Sequence, residues 1–307
     1  MLFRHGESVW NVKDSSLGLK VKFTGWADIA LTARGVEQAA AAGRCLEEFG
    51  VMPTTVCTSL LRRSRESYDE IAKVNNYANV TVINSWRLNE RHYGALVGLG
   101  KEEAMNMFDP KQVMEWRKSW DKKPPKMNNL DLKLWNKAAW TKPVTIVSEP
   151  GKQKAVISEI GVSLPETESL EDCCNRVRPL WYLVIAPKVK LGETVLIVAH
   201  ANSIRAMVRY IDFETISTDS VREISIPPAT PLVYDFALRH KPLHASLSMD
   251  PAIQPGDVNL GHPDGKLYPL GVPTPLGMRG RFIVNRELAK LKTTAKLSSF
   301  EDQICVI

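Results

Sequence analysis

The chain has 307 residues, of which 44% are hydrophobic and 24% are charged, and its formal net charge is +6. This composition is typical of a globular protein and excludes a disordered or fibrous chain. The five cysteines are scattered and form no Cys-x-x-Cys pair, which argues against a disulfide framework and a cysteine-based zinc site. No apolar run is long enough to span a membrane. We therefore expect a cytoplasmic protein whose ligand is a small anion, with no nucleic-acid or membrane partner.

Short apolar strands alternate with amphipathic helices along most of the chain. The predicted strands are 1–3, 55–59, 80–83, 194–199 and 232–236. The predicted helices are the segment between the N-cap Thr32 and Gly50, followed by 61–74, 102–120, 170–184, 202–210 and 283–297. This alternation predicts an α/β fold, with a mainly parallel sheet and helices on both of its faces.

Two segments without a clear period are predicted to be irregular insertions into a single domain that spans residues 1–307. They lie near 126–163 and 240–278. The tail at 279–307 is basic, and two interpretations of it remain open. It is either a loosely docked helix or a lid that keeps water away from a reactive intermediate.

Two histidines stand just past the ends of predicted strands. His5 comes after Leu2-Phe3 with Arg4 between them, and His200 follows the apolar run 194–199. Ligands of open α/β sheets bind beyond the carboxyl ends of the strands, so both histidines are expected at one crevice. Arg4 and Arg63 also stand close to strand ends. Guanidinium groups match phosphate oxygens and a neutral imidazole can attack phosphorus, which predicts a phosphoryl-transfer site.

A metal site is not expected in this chain, because the arginines supply the charge that a metal would otherwise provide. Three further histidines, His240, His244 and His262, lie in the second insertion. Their spacing fits no compact metal site, and we interpret them as exposed loop residues.

Several motifs match a known family in the order in which that family carries them. They are Arg4-His5-Gly6-Glu7-Ser8, Thr58-Ser59-x-x-x-Arg63, Arg87-Leu88-Asn89-Glu90-Arg91-His92-Tyr93-Gly94, Glu168-Ser169-Leu170 and Ala199-His200-Ala201-Asn202-Ser203. Together they resemble the histidine phosphatase superfamily, and specifically its cofactor-dependent phosphoglycerate mutases. The match spans roughly 1–125 and 164–236, and the run 89–94 is its most mutase-specific part.

The resemblance implies the interconversion of 3-phosphoglycerate and 2-phosphoglycerate in glycolysis, with 2,3-bisphosphoglycerate as the phosphoryl primer and no metal. It implies that His5 becomes phosphohistidine and that Glu90 is the general acid and base. The residues implied to hold the transferring group are Arg4, Asn11, Arg63 and His200. Those implied around the carboxylate and the second phosphate are Thr24, Gly25, Arg91, Tyr93, Lys101, Arg117, Lys118 and Asn202.

Some positions depart from the family pattern. Ala201 and Ala229 replace glycines, Lys118 replaces an arginine, and only three residues precede Arg4. Ala201 keeps the main-chain N–H that would contact phosphate but loses easy access to positive φ. Two alternatives stay open: a phosphatase for another phosphoester, and a non-catalytic relative of the mutases. A homo-oligomer is also left open.

Overall fold

A mixed β-sheet forms the centre of the fold. The computed structural model describes residues 1–12, 20–77, 79–127, 143–239, 266–269, 278–292 and 304–306. Its strands are β1 Leu2–Arg4, β2 Thr55–Thr58, β3 Thr81–Ser85, β4 Val144–Ser148, β5 Ala155–Ser158, β6 Val195–Ala199, β7 Pro231–Val233, β8 Phe236–Arg239, β9 Lys266–Pro269, β10 Arg281–Val284 and β11 Ile304–Val306. Within these residues, nine strands form one sheet in the order β11-β10-β7-β1-β6-β2-β3-β4-β5, and β8 pairs with β9 separately.

Helices cover both faces of this sheet, which confirms the predicted α/β class. They are α1 Ala33–Glu48, α2 Arg62–Asn75, α3 Lys101–Met107, α4 Pro110–Lys118, α5 Leu170–Leu180, α6 Ala186–Lys190, α7 Ala201–Ile211 and α8 Arg286–Lys292. A π-helical turn, Trp181–Ile185, joins α5 to α6. None of the helices that the structure describes is both long enough and apolar enough to cross a bilayer.

The central strands β1, β6, β2 and β3 run parallel, and their apolar side chains fill two cores. Helices α1 and α2 pack with Phe3 and Leu196 on one face, whereas α5 and α7 pack with Leu2 and Ile197 on the other. Strand β1 has only three residues but lies between β6 and β7, and its apolar side chains are buried. The four parallel strands therefore bring their carboxyl ends to one edge.

The boundaries of α1 follow from local chemistry, as the sequence predicted. The Thr32 hydroxyl accepts a hydrogen bond from the Gly35 N–H at 2.9 Å, which caps the first turn. The helix ends at Glu48, and Gly50, which follows the C-cap residue Phe49, adopts a φ of 64°. Glycine is favoured there because this left-handed conformation crowds a Cβ atom.

The single helix expected over 102–120 is wrong, because the structure has two. Helix α3 ends at Met107, and Asp109 then caps α4, with Pro110 in its first position. The Asp109 carboxylate accepts hydrogen bonds from two main-chain N–H groups of α4. A proline after a capping aspartate starts a helix rather than continuing one. The strand expected over 232–236 is also divided, between β7 and β8.

The first insertion is only partly irregular. Residues 144–158 contain the hairpin β4–β5, and β4 extends the main sheet by pairing antiparallel with β3. The Ser85 and Thr145 hydroxyls are 2.8 Å apart across that pair, and the Arg87 guanidinium binds the Glu159 carboxylate. The prediction that this insertion is irregular is therefore wrong for the hairpin β4–β5. Residues 128–142 lie outside the described residues, as does most of 240–278.

Part of the C-terminal tail is built into the fold. Strand β10 pairs with β7, and its Phe282, Ile283 and Val284 are buried. Helix α8 starts at Arg286 rather than 283, and it packs on α1 through the buried Leu288 and an Arg44–Glu287 ion pair. Residues 281–292 are thus packed into the fold, and the interpretation of this segment as a loosely docked helix is wrong. Of the remainder of the tail, only 278–280 and 304–306 are described.

Candidate active site

The two histidines at the strand ends come together at the carboxyl edge of the sheet. His5 follows β1 and His200 follows β6, which are neighbouring parallel strands. Their ring centroids are 5.0 Å apart, and the rings are 3% and 0% exposed. Arg63, from the first turn of α2, reaches the same place, where its Nε is 3.3 Å from His5 Nε2. The sheet topology therefore assembles one buried cluster of imidazole and guanidinium groups.

The turn after β1 fixes the orientation of His5. Its Nδ1 lies 2.6 Å from the Gly6 carbonyl oxygen. Because a carbonyl oxygen only accepts hydrogen bonds, Nδ1 carries the proton. The other nitrogen, Nε2, then keeps its lone pair and accepts the hydrogen bond from Arg63. This tautomer leaves Nε2 as the nucleophilic atom.

The turn requires glycine because it lies directly on the start of α1. A Cβ atom on Gly6 would be 2.3 Å from the Gly35 carbonyl oxygen. A Cβ atom on Gly35 would in turn be 2.0 Å from the Glu7 carbonyl oxygen. Both obstacles are main-chain atoms, so only glycine fits at either position.

Arg4 and Arg63 bring positive charge to the cluster, and main-chain carbonyls hold them. Arg63 donates to the Ala27 and Gly25 oxygens at 2.8 and 2.9 Å, and Arg4 donates to the Ile226 oxygen at 2.7 Å. Burial lowers the pKa of each guanidinium to about 10. Both groups therefore remain cationic at neutral pH, and the oxygens that accept their hydrogen bonds are uncharged.

Burial also lowers the pKa of His5 and of His200 well below 6.5. Arg63 and Arg4 add to the shift in both cases, because a neighbouring cation disfavours protonation of an imidazole. Both rings are thus neutral at physiological pH. A neutral ring is required for nucleophilic attack, since a protonated one has no lone pair to offer.

Ser59, at the end of β2, orients His200. The Ser59 Oγ lies 2.7 Å from His200 Nε2, and it also accepts a hydrogen bond from the Leu61 N–H. The other ring nitrogen, His200 Nδ1, is buried and has no hydrogen-bond partner among the described residues. The Nε atoms of Arg4 and Arg91 are likewise buried and have no hydrogen-bond partner among the described residues. Three buried polar atoms of this region therefore have unused hydrogen-bonding capacity.

Glu90 lies where the loop after β3 meets the first turn of α7. Its Oε1 accepts hydrogen bonds from the Arg91 N–H at 2.8 Å and from the Asn202 N–H at 3.1 Å. The carboxylate thus stands at the N-terminal end of the same helix that follows His200.

The side of the cluster beyond Glu90 consists of Asn202, Tyr93, Arg91 and Arg205. Asn202 Nδ2 donates to the Tyr93 hydroxyl at 2.9 Å, and Arg205 donates to Asn202 Oδ1 at 3.1 Å. The Arg91 guanidinium lies 4.9 Å from the centre of the Tyr93 ring and also donates to the Trp116 carbonyl. These contacts join three of the predicted binding residues in one network.

The remaining predicted residues lie at different distances from this network. Thr24 and Gly25 are buried, and the Gly25 carbonyl holds Arg63. Arg117 is partly exposed and lies 5.9 Å from the centre of the Phe23 ring. Asn11 accepts a hydrogen bond from the Ser8 hydroxyl at 2.7 Å. Lys101 and Lys118 are exposed at the start of α3 and the end of α4, outside the buried cluster.

The two glycine-to-alanine departures differ in their consequences. Ala201 is the first residue of α7 and has no positive φ, so it is compatible with its conformation. Ala229 is fully buried with a φ of 49°, a left-handed conformation that strains an L-residue. Its N–H donates to the Arg4 carbonyl oxygen at 2.8 Å, which ties this strained residue to the cluster.

Ser59 and Arg205 were not assigned a role from the sequence. Ser59 directly follows β2, so its position at a strand end was the available signal. Arg205 is three residues after Asn202 on α7, a spacing that places both side chains on one helix face. His240, His244 and His262 lie outside the described residues, and within those residues no three potential metal ligands come together.

The chain resembles known proteins in sequence and in fold. A family model described as the histidine phosphatase superfamily (branch 1) matches residues 1–134. A 2,3-bisphosphoglycerate-dependent phosphoglycerate mutase of Leifsonia xyli is 37% identical over 251 residues, which are 82% of this chain and 91% of that protein.

Two solved structures share the fold. A mycobacterial glucosyl-3-phosphoglycerate phosphatase matches with a TM-score of 0.51 at 19% identity, over 77% of this chain and 90% of its own. The alpha-ribazole phosphatase of Shigella flexneri matches with a TM-score of 0.51 at 18% identity, over 77% of this chain and 89% of its own. At these identities the two structures report on the fold alone.

Proposed function

We propose that this chain, a member of the histidine phosphatase superfamily, interconverts 3-phosphoglycerate and 2-phosphoglycerate. Within that superfamily it belongs to the family of 2,3-bisphosphoglycerate-dependent phosphoglycerate mutases. The observation that carries this proposal is the state of His5. Its ring is neutral and buried, and the lone pair of Nε2 faces the Arg63 guanidinium, from which it accepts a hydrogen bond. A phosphoryl acceptor needs this combination of a nucleophile and adjacent positive charge.

In the proposed reaction, His5 Nε2 attacks phosphorus. The N–P bond forms as the ester P–O bond breaks, and the electron pair of that bond leaves with the alcohol oxygen. Arg4, Arg63 and His200 surround the transferring group, whose charge is spread over its oxygens. Positioning and electrostatic stabilisation therefore account for most of the rate in this step.

Glu90 is proposed to manage the proton of the alcohol. As the ester bond breaks, the carboxylic acid donates its proton to the departing oxygen. When the second oxygen of the glycerate attacks the phosphoryl group on His5, the carboxylate takes the proton back. The hydrogen bonds from Arg91 and Asn202 fix the carboxylate beside the cluster, which supports this role.

The site suits 2,3-bisphosphoglycerate as a primer. Such a molecule carries about five negative charges near neutral pH, so it requires several separate cations. The Arg4 and Arg91 guanidinium groups, whose Nε atoms have no partner among the described residues, are two such cations, and the neutral His200 offers Nδ1 as a further polar contact. When bound, 2,3-bisphosphoglycerate would supply the phosphoryl group that loads His5. Arg4 and His200 would hold that group, while Arg91, Tyr93 and Asn202 would hold the distal part of the molecule.

The proposal is tested by adding 3-phosphoglycerate and catalytic 2,3-bisphosphoglycerate to the purified protein and following both isomers and inorganic phosphate by ³¹P NMR. We expect isomerisation to exceed phosphate release many times over. Phosphate release without isomerisation would identify a phosphatase. Neither product, together with no acid-labile phosphate on His5, would identify a non-catalytic relative.

A further inference from the structure

We propose that a buried ion pair, Arg176–Glu168, positions Glu90 for proton transfer. Neither partner belongs to the histidine and arginine cluster, and neither is proposed to touch substrate. The inference rests on the proposed role of Glu90. It assigns to Arg176 and Glu168 a positioning function that goes beyond their contribution to the stability of the fold.

Arg176 holds the loop that carries Glu90 by its main-chain oxygens. From α5, its Nη1 donates to the carbonyl oxygens of residues 86 and 87, at 3.2 and 2.6 Å. Its Nη2 donates to those of Asn89 and Glu90, at 3.1 and 3.3 Å. One guanidinium thus binds four of the five carbonyl groups between residues 86 and 90.

Glu168 completes the arrangement from the other side. Its carboxylate accepts hydrogen bonds from Arg176 Nε at 2.6 Å and Nη2 at 2.9 Å. The oxygen that meets Nη2 also accepts the His92 N–H at 2.8 Å. The ion pair therefore forms hydrogen bonds with main-chain groups on both sides of Glu90 and Arg91.

The loop needs support of this kind because little regular structure holds it. A single 3-10 turn, Trp86–Leu88, follows β3, and the chain from 89 to 93 is neither helix nor strand. Trp26 provides the other anchor, since its Nε1 donates to the Glu90 carbonyl oxygen at 2.5 Å. The Arg176 guanidinium lies 5.6 and 5.8 Å from the Trp26 and Trp86 rings, which completes its enclosure.

The chemistry of the pair favours positioning over stability. Both side chains are almost fully buried, at 4% and 1% exposure. Burying two charges costs free energy that their attraction often only offsets, so such a pair is a weak source of net stability. The planar guanidinium, however, offers five donors in fixed directions, and a lysine could not span the same carbonyl oxygens. That geometry suits a rigid support for a catalytic loop.

The decisive experiment separates proton transfer from phosphoryl capture. In single turnovers with excess enzyme, phosphate transfer to His5 is measured from two donors. One is 2,3-bisphosphoglycerate, whose leaving oxygen needs a proton; the other is p-nitrophenyl phosphate, whose acidic leaving group does not. For Arg176→Met we expect about a 100-fold loss with the first donor, because small misplacements of catalytic groups cost about this much. With the second donor we expect a loss of less than about 5-fold.

Conservative variants and a matched control complete the test. Arg176→Lys should recover only part of the lost rate, and Glu168→Gln should lose less than Arg176→Met. The control is Asp212→Asn, which disturbs a buried network at the far end of α7, where Asp212 accepts the Tyr234 hydroxyl at 2.7 Å. It should lower the melting temperature without changing the ratio of the two transfer rates. Equal losses with both donors in Arg176→Met, or a changed ratio in Asp212→Asn, would overturn the proposal.

Amide hydrogen exchange makes the result independent of the proposed reaction. Exchange at residues 86–92 should rise in Arg176→Met and stay unchanged in Asp212→Asn. If the parent protein labels His5 but does not isomerise phosphoglycerate, the mutase assignment fails while the donor comparison still reports on the ion pair. If the parent takes phosphate from neither donor, unchanged exchange in Arg176→Met would overturn the positioning role directly.

Discussion

The candidate site consists of two regions that are built differently. We call the first the floor; it comprises Arg4, His5, Arg63, Glu90 and His200. We call the second the rim; it comprises Lys101, Arg117 and Lys118. Most of the floor is attached directly to strand ends and lies against the two main cores, whereas the rim is carried by α3 and α4.

The rim helices have a small core of their own. Phe23, Leu96, Ala104 and Val113 form a cluster separate from the cores on the two faces of the sheet. Arg117 joins this cluster through the Phe23 ring, and the Phe23 ring in turn lies 5.2 Å from that of Tyr93. The floor is therefore part of the packing around the central sheet, whereas the rim belongs to a separately packed unit that contacts it through Phe23 and Tyr93.

The largest expected effect is that of His5→Ala. Phosphate capture and turnover should fall by at least about four orders of magnitude, because no other floor residue is oriented as the nucleophile. Mass spectrometry under neutral conditions detects acid-labile phosphate on the parent protein. If the variant still carried such phosphate on another floor residue, that residue would be the covalent acceptor and the role proposed for His5 would be wrong.

Glu90→Gln should come next, with turnover on phosphoglycerate reduced by about two to four orders of magnitude. The amide keeps the hydrogen bonds from Arg91 and Asn202 but cannot donate an acidic proton. Glu115→Gln, an exposed change on α4, is the matched control. The kcat and KM of both variants are measured in the steady state. A raised KM with an unchanged kcat in Glu90→Gln would show that Glu90 binds substrate and does not transfer the proton.

Arg117→Met tests the rim. Removing one cation that faces the distal charges should raise the KM for phosphoglycerate by about 10-fold, the size of one charged hydrogen bond, and change kcat much less. Lys111→Met removes an equal charge from an exposed position on the same helix. A large fall in kcat in Arg117→Met, or an equal KM effect in Lys111→Met, would remove the distinction between rim and floor.

Acid should weaken the folded state through buried histidines. His5, His92 and His200 have pKa values lowered by burial, that of His92 to about 4. Below pH 6.5 the unfolded chain therefore binds protons that the folded chain does not, so stability is lost as pH falls and is restored as pH rises. Each histidine contributes up to about 1.4 kcal/mol per pH unit.

Urea unfolding at pH 7.5, 6.5 and 5.5 measures this slope. His92→Asn removes one of the three titrating groups without touching the floor, so its stability should depend less steeply on pH than that of the parent. Identical slopes in the two proteins would mean that His92 does not contribute.

The smallest effect is expected at the two alanines that stand where the family has glycine. Ala229→Gly should raise the free energy of unfolding by about 0.5 kcal/mol, because relief of left-handed strain exceeds the extra entropy of the unfolded glycine. Ala201→Gly should lower it by about 0.5–1 kcal/mol, since glycine is a poor helix former. Urea unfolding at neutral pH gives both values, and the same sign for both would contradict the conformations described above.

The floor could be inferred from the sequence because it depends on local patterns. The continuous apolar run that forms β6 predicts a buried strand, and a residue directly after such a strand must lie at the sheet edge, as His200 does. The hairpin β4–β5 could not be inferred, because its partner β3 is some 60 residues distant and its apolar residues stay half exposed or exposed.

Long-range contacts explain the other omissions. Arg176 donates hydrogen bonds to carbonyl oxygens of residues that precede it by 86 to 90 positions in the sequence. Ser59 forms a hydrogen bond with His200, which is 141 positions later. No periodicity encodes such pairs, since each depends on the finished packing of α5 and the sheet. Within the rim, likewise, the sequence named the cations but could not tell that Arg117 lies on an aromatic ring while Lys118 is exposed.

The contact between Gly6 and Gly35 has a consequence for the way this sequence can change over generations. The obstacle to a side chain at either position is a carbonyl group of the opposite segment. Shrinking a neighbouring side chain cannot make room, because these main-chain atoms are present whatever residue stands there. The same close contact therefore restricts both positions to glycine, although 28 residues lie between them in the chain. The motif around His5 therefore depends on a residue in the first turn of α1, and a side chain at either glycine would require the two main-chain segments to move apart.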